Sequence, residues 1–187
     1  MKQFLYLCVC LSFLSACERP VGKARHGLPM PQQTFTHFDT ISVNVGSILI
    51  DDTGIIGRGG VSDELLSHAR SYLGHKIQRA NGKGQLVVRV ENASSSYVLT
   101  PSKYEMLENF ALGQVQQETL KLQLRIEHLD DYGNVLHGRV LSAQKVINIS
   151  EHASVSERDQ KRFNAIDDIF KTIDPEMNRI IASEMHF

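Results

Sequence analysis

The chain contains no tryptophan and only three cysteines among its 187 residues. Cys8 and Cys10 lie near the amino terminus, and the third cysteine is Cys17. The rest of the chain has no thiol. That absence excludes a disulfide framework, a cysteine-based zinc site and a cysteine nucleophile from everything beyond Cys17.

The sequence also has no apolar run long enough to cross a bilayer as a helix. The longest run extends from Phe4 to Leu14, about 11 residues, whereas a spanning helix needs roughly 20. Lys2 precedes this run and small residues follow it. This arrangement is typical of a secretory signal, and we predict a signal peptide over residues 1–16.

The end of the signal resembles a bacterial lipobox. Leu14, Ser15 and Ala16 supply an aliphatic and two small residues directly before Cys17. The resemblance implies cleavage before Cys17 and lipid attachment to its thiol, which anchors the protein to a membrane. The alternative is an ordinary signal with a chance cysteine. Glu18, where aspartate would imply inner-membrane retention, favours the outer membrane facing the periplasm.

The charge balance is close to neutral. The chain has 20 basic and 21 acidic residues, and removing the signal takes away only Lys2, leaving a formal charge of −2. Binding to nucleic acid or to anionic lipid needs a basic surplus, so neither is an expected partner.

Residues 17–36 are predicted to form a lipidated tether, because they hold three of the five prolines and show no apolar periodicity. Residues 37–187 are long enough for one domain with one core. A strand is predicted over Asp39–Ile50, with a β-bulge at Gly46. Gly54–Gly60 then forms a loop, and a helix runs over Ser62–Ala80, capped by its first residue.

Three further strands are predicted. Gln85–Asn92 is rich in valine and is expected inside the sheet. Tyr97–Leu99 extends it in one interpretation, with Pro101 as the break. Thr119–His128 alternates apolar and polar residues, which indicates a strand with one buried and one solvated face. A turn connects it to a hairpin partner over Val135–Ile149.

The last helix is predicted to begin near Ser154, which forms a capping box with Glu157. Pro175 should kink or restart this helix near Asp174. The resulting order, β-α-β-β-β-α, predicts an α+β two-layer sandwich with two helices on one face of an antiparallel or mixed sheet.

No pattern of catalytic or cofactor-binding residues is recognisable. The sequence lacks a GxSxG elbow, an HExxH motif and a P-loop. His68 and His75 lie seven residues apart on the first helix, a spacing more typical of a helix surface than of a zinc site. We therefore expect neither an enzyme nor a resident metal or cofactor.

The polar face of the third strand is the candidate binding surface. Lys121, Gln123, Arg125 and Glu127 alternate with buried positions and carry long polar side chains. They form either a solvated sheet face or a surface for a protein partner, since an uncovered sheet is a natural docking platform.

Two stretches, Ile41–Ile50 and Glu151–Met185, resemble the first strand and last helix of a family of small proteobacterial lipoproteins of uncharacterised function. That family has a proline-rich segment with a tryptophan where this chain has Gly54–Gly60. The element order is also similar to the LPS-assembly lipoprotein and to auxiliary lipoproteins of ABC-type lipid transporters. These resemblances imply a small α/β sandwich without enzymatic activity.

The sequence thus predicts a lipid-anchored, non-catalytic envelope protein that binds an outer-membrane or transporter protein partner. The alternative is a lipoprotein that binds a lipid or small ligand by itself. That alternative requires an apolar cavity between sheet and helices.

Replacing Cys17 tests the predicted attachment of the protein to a membrane. In Cys17→Ser we expect the protein to leave the membrane pellet and become soluble after cell lysis, because no acyl chain can be attached. Fractionation at high salt, followed by immunoblotting, measures this. Membrane retention of Cys17→Ser equal to that of the unaltered chain would contradict the prediction.

Overall fold

The computed structural model describes residues 34–53, 55, 60–101 and 114–183. All of them belong to one compact unit, Gln33–Phe187. The signal peptide, Cys17, the tether up to residue 33 and most of the Gly54–Gly60 loop lie outside the described residues. Within the described part, neither helix has the length and apolar character needed to cross a bilayer.

The described residues form six strands and two helices. In chain order these are β1 (Ile41–Val43), β2 (Ser47–Asp51), α1 (Val61–Lys76), β3 (Ile77–Arg79), β4 (Gln85–Pro101), β5 (Gln114–Leu129), β6 (Val135–Ser150) and α2 (Val155–Ser183).

A four-stranded sheet, in the order β2-β4-β5-β6, is the centre of the fold. β2 runs parallel to β4, while β4, β5 and β6 are mutually antiparallel. Both helices cover the same face, α1 mainly over β4 and α2 mainly over β6. The predicted α+β two-layer fold with helices on one face is therefore confirmed.

The alternation of apolar and polar residues along β5 explains why one face of the sheet is covered by helices and the other is not. Leu120, Leu122, Leu124 and Ile126 are fully buried against the helices, and the residues between them point to the opposite face. A strand must place successive side chains on opposite faces, so the polar set is left on the uncovered side.

The first predicted strand is two strands instead of one bulged strand. β1 pairs in parallel with β3, whereas β2 joins the main sheet. Gly46 lies between them, and its backbone nitrogen donates a hydrogen bond to the Gly84 carbonyl at 2.9 Å. The break at Gly46 thus separates two sheets, which a bulge within one sheet would not do.

The first helix is shorter than predicted, and Ser62 does not cap it. Gly60 occupies the N-cap position, and the Ser62 hydroxyl oxygen accepts a hydrogen bond from the Ser95 backbone at 3.1 Å. The helix ends at Lys76 because Ile77 takes an extended backbone conformation. Ile77 opposes Ile41 in the parallel β1–β3 pair, so tertiary pairing overrides the helical periodicity.

The remaining strand predictions are confirmed, with longer bounds. β4 continues through the predicted extension Tyr97–Leu99 to Pro101. β5 and β6 contain the predicted third and fourth strands and extend beyond them. The register of the β4–β5 pair shifts between Val90 and Asn92, which leaves Glu91 as the extra residue of a β-bulge.

The predicted capping box at the start of α2 is present. Ser154 and Glu157 exchange hydrogen bonds between backbone nitrogen and side chain, at 2.7 and 3.2 Å. The sequence predicts a kink or a restart near Pro175. No restart occurs, because α2 is continuous from Val155 to Ser183. Contacts on both sides of the proline keep the helix continuous. Asp174 pairs with Lys76 of α1, and Met177 is fully buried.

A buried polar cluster joins the two helices and the start of the domain. The Lys76 ammonium, with 0% of its side chain exposed, lies 2.7 Å from an Asp174 carboxylate oxygen. It also donates to the Asp39 carbonyl at 2.6 Å, and the Tyr72 hydroxyl donates to Asp174 at 2.9 Å. Burial and the Asp174 carboxylate raise the pKa of Tyr72 above its ordinary range.

Aromatic rings surround this cluster. Phe35, within the stretch assigned to the tether from sequence, is buried and packs edge-on against Phe170 at 5.0 Å between ring centroids. Phe38 contacts Tyr72 in the same way at 5.5 Å. The cluster thus sits in an apolar, water-poor environment, where an unpaired charge is costly.

Breaking this ion pair should destabilise the domain strongly. We expect Asp174→Ala to lower the free energy of unfolding by about 3–5 kcal/mol, because it leaves a buried ammonium without its counter-charge. The double variant Lys76→Met/Asp174→Asn should lose less, since it removes both charges and keeps an acceptor for Tyr72. Urea unfolding measures both. Equal losses in the two variants would show that the charge is not the cause.

Candidate functional site

The sheet face opposite the helices is the surface on which the polar residues of three strands meet. We call it the open face, because none of the described helices covers it. Cross-strand register places β2, β4 and β5 side by side here. Its central side chains form what we call the open-face cluster: Asp51, Arg89, Glu91, Gln123, Arg125 and Glu127.

Glu91 is the hub of one half of the cluster. One carboxylate oxygen accepts a hydrogen bond from Gln123 at 2.7 Å, and the other pairs with the Arg125 guanidinium. These bonds, from Arg125 first and Gln123 second, hold the pKa of Glu91 below its ordinary range. A β-bulge re-aims side chains locally, and Glu91, the extra residue of the bulge, is accordingly able to reach two neighbours on β5.

Arg89 is the hub of the other half. Its guanidinium lies 3.2 Å from Asp51 on β2 and 3.6 Å from Glu127 on β5. Hydrogen bonds from Thr53 and then from Arg89 hold the pKa of Asp51 below its ordinary range. The cluster therefore contains paired charges of both signs, held by neighbouring strands in a fixed geometry.

The structure brings together three of the four residues predicted from sequence. Gln123, Arg125 and Glu127 belong to the cluster, whereas Lys121 lies farther along β5, opposite Ser94 and Gln144. Lys121 forms no ion pair with any residue that the structure describes. It is on the same face, but outside the charged centre that the other three residues form with partners on β2 and β4.

Sequence reasoning missed the partners supplied by the other two strands. Arg89 and Glu91 lie in the valine-rich stretch that is predicted inside the sheet, and Asp51 directly follows the predicted first strand. One signal was available, because Val-Arg-Val-Glu over 88–91 alternates apolar and charged residues. The bulge, which leaves Glu91 without a ladder partner and close to both Gln123 and Arg125, has no comparable signal.

Exposed aliphatic side chains border the cluster. Leu49 on β2 is 47% exposed, and Val140 and Val146 on β6 are 44% and 45% exposed. Val140 stands directly opposite Arg125 in the β5–β6 pair. The open face thus combines a paired polar centre with an apolar margin.

A second concave region lies at the end of the sheet where three connections meet. This open groove of ≈ 670 Å³ is lined by Asn44, Asn81, Gly82, Lys83, Gly84, His128, Asp130, Asp131 and Leu136. A methyl group at Gly82 would overlap the Asn44 carbonyl, and Gly84 has a φ of +72°. Glycine is therefore required at both positions for the backbones to approach so closely.

His128 is the buried titratable group in this groove. Its ring stacks with that of His137 at 6.5 Å between centroids. Burial lowers the pKa of His128 below its ordinary value, and the nearby His137 ring lowers it further. Among the described residues no group of three or more His, Cys, Asp or Glu is placed to hold a metal ion. His68 lies near Glu64, and His75 contacts the Phe38 carbonyl.

The pKa of His128 should make stability fall in acid. Because its pKa is lower in the folded than in the unfolded state, the unfolded state binds more protons as the pH falls below about 6.5, and the native state is destabilised. Urea unfolding at pH 7.5, 6.0 and 5.0 should show a decline that is smaller in His128→Gln. An identical pH profile for both proteins would contradict this assignment.

No protein-family model matches the sequence, and no curated protein matches it. Several solved structures are similar to it at low sequence identity. A minor lipoprotein from Acinetobacter baumannii is 15% identical, with a TM-score of 0.40 over 73% of this chain and 90% of that one. A neuraminyllactose-binding hemagglutinin homolog from Helicobacter pylori is 10% identical, with a TM-score of 0.42 over 81% and 95%.

Uncharacterized lipoprotein B from Nitrosomonas europaea is 11% identical, with a TM-score of 0.34 over 86% of this chain and 99% of that one. Two of these three similar structures are thus described as lipoproteins of proteobacteria. At these identities and TM-scores, neither a residue role nor a ligand transfers to this chain.

Proposed function

We propose that this chain is a lipid-anchored, non-catalytic protein of the cell envelope, and that its domain binds a membrane-protein partner through the open face. The lipobox-like sequence ending at Cys17 supports the anchor, and Glu18 favours the outer membrane, facing the periplasm. In this arrangement the domain works at a membrane surface, where a partner embedded in that membrane is always close.

The observation that carries the partner role is the pre-paired charge of the open-face cluster. Glu91 is fixed by two neighbours, and Arg89 bridges two carboxylates. Side chains that are already ordered lose less conformational entropy when a partner binds, which raises affinity for the same contact area. Folding stability alone does not account for this order, because exposed ion pairs contribute little to the free energy of unfolding.

The open-face cluster also suits recognition better than catalysis. The carboxyl groups of Asp51 and Glu91 have a pKa that is lowered, not raised, so they carry charge and are poor proton donors near neutral pH. The cluster also lies on an open sheet surface and not in a water-excluding cleft. Fixed charges on an accessible face provide electrostatic complementarity and specificity towards a partner.

The alternative, a domain that binds lipid in an interior cavity, has less support. The apolar residues between sheet and helices form one contiguous core, and Leu86, Leu122 and Phe170 are fully buried within it. The groove at the end of the sheet opens to solvent instead of lying inside this layer. A lipid would therefore have to displace packed side chains.

Crosslinking from native membranes tests the proposal. We expect the unaltered chain to capture one envelope protein reproducibly, and Arg125→Glu to capture less than about a tenth as much. Lys171→Glu is the matched control, because it makes the same charge change on an exposed site of α2. Equal losses in both variants would indicate a general charge effect and would contradict a partner site on the open face.

A charge swap separates recognition from folding. The double variant Glu91→Arg/Arg125→Glu can re-form the ion pair in reversed orientation, so we expect its urea unfolding to remain close to that of the unaltered chain. Capture should nevertheless stay low, because the partner meets reversed charges. Recovery of full capture by the swap would show that the pair is structural and that the partner does not contact it.

A further inference from the structure

The second half of β4 has an open edge on the side away from β5. β2 pairs with β4 only over Gln85–Arg89, whereas β4 continues to Pro101. Within residues 34–53, 60–101 and 114–183, no strand pairs with the rest of this edge. An unpaired strand edge presents backbone donors and acceptors to any extended chain that approaches.

Three consecutive apolar side chains are exposed on this part of β4. Tyr97, Val98 and Leu99 are 67%, 61% and 56% exposed. Successive side chains of a strand point to opposite faces, so Val98 lies on the open face and its two neighbours lie on the helix side. No charged residue occurs from Asn92 to Thr100. Natural edge strands usually carry charges that discourage pairing, and this segment has none.

The edge at the other side of the sheet differs in this respect. β6 carries Arg139 and Lys145 along its length, and Lys145 pairs with Asp168 of α2. Charged side chains of this kind discourage the pairing of an edge strand. Of the two long edges that the described residues leave open, the one on β4 is therefore the one suited to strand pairing.

Two features limit the usable edge of β4 to Ser96–Thr100. On one side, the Ser95 backbone nitrogen already donates to the Ser62 hydroxyl oxygen at 3.1 Å. On the other side, Pro101 has no N–H to donate. The window between these two limits is centred on Val98.

The bond from Ser95 also gives the direction of the backbone groups in this window. Because its N–H points to Ser62 on α1, it points away from β5. Backbone groups alternate in direction along an antiparallel strand. The N–H and C=O groups of Tyr97 and Leu99 therefore point to the open edge as well.

A second copy of the chain fits this window because the window is symmetric about Val98. In an antiparallel pairing with a two-fold axis at Val98, Tyr97 of each copy stands opposite Leu99 of the other. These two pairs exchange about four backbone hydrogen bonds, and Val98 faces its counterpart as a non-hydrogen-bonded pair, which has the closest side chains. Each exposed apolar side chain thus meets an apolar side chain, and no like charges are opposed.

We propose that a second copy of this chain pairs in antiparallel fashion with β4 along Ser96–Thr100, with the two-fold axis at Val98. The axis is perpendicular to the sheet, so both open faces lie on the same side of the joined sheet. The contact is separate from the proposed partner site, because the open-face cluster remains uncovered. The window is short, so the contact is weak and is best captured inside the cell.

Disulfide trapping in intact cells tests the position of the axis. In Val98→Cys the two new thiols face each other at a Cα separation of about 4.5 Å, which a disulfide can bridge. With a mild oxidant we expect about tenfold more disulfide-linked dimer on non-reducing gels than for Val146→Cys. Val146 is the matched control, an exposed valine on β6, which β5 separates from the β4 edge. Cys17 is common to both variants and to the unaltered chain, which gives the background.

Opposite charges at the axis test the register. Copies with two different epitope tags are expressed together, and one is captured from gently solubilised cells. With Val98→Lys in both copies we expect co-capture to fall about tenfold, because two ammonium groups then face each other. With Val98→Lys in one copy and Val98→Glu in the other, co-capture should recover. Val155→Lys, at an exposed valine of α2, should leave co-capture unchanged.

The outcomes separate this contact from a fold defect and from the partner site. Recovery in the mixed pair shows that both variants fold. Equal disulfide yields from Val98→Cys and Val146→Cys would overturn the proposal, and so would co-capture that is unaffected by Val98→Lys or not restored by the mixed pair. A different protein on this edge would leave Val98→Cys without the homodimer band. Arg125→Glu should leave the band in place, whether or not it abolishes capture of a membrane partner.

Discussion

The buried ion pair between Lys76 and Asp174 is the interaction on which the two-layer arrangement depends. It joins the end of α1 to the middle of α2, and the same ammonium holds the Asp39 carbonyl at the start of the domain. Three separate segments therefore meet at one charge that has no access to water. A buried ammonium tolerates few alternative arrangements, because each one that separates it from its carboxylate carries a large desolvation penalty. The cluster thereby fixes the two helices relative to each other and to the start of the domain.

The character of the opposite face follows from that arrangement. Since both helices lie on one side, every second side chain of β4 and β5 remains on the open face, where polar residues can persist in water. At the bulge, the Glu91 carboxylate on this surface pairs with Arg125. The result is a surface ordered by its own ion pairs. Its order comes from strand register and needs no covering element.

The open face carries an aliphatic margin beside its polar centre. Val140 and Val146 lie exposed on β6, the last strand of the sheet. A partner bound as we propose would contact both the charges and this margin. These contributions differ in kind, because charges provide specificity whereas apolar contact provides affinity. A lipid anchor would raise the local concentration of such a domain near a membrane-bound partner.

The sequence by itself determined those features that depend on neighbours in the chain. The alternation over Thr119–His128, the capping box at Ser154 and the polar face of β5 are all local, because each follows from a period or a spacing of a few residues. Only the tertiary structure decided where α1 ends, since Ile77 leaves the helix to pair with Ile41. It also decided that α2 continues through Pro175 and that Asp51, Arg89 and Glu91 join the cluster. Those outcomes depend on contacts between residues distant in the chain, and on a register shift that no local pattern encodes.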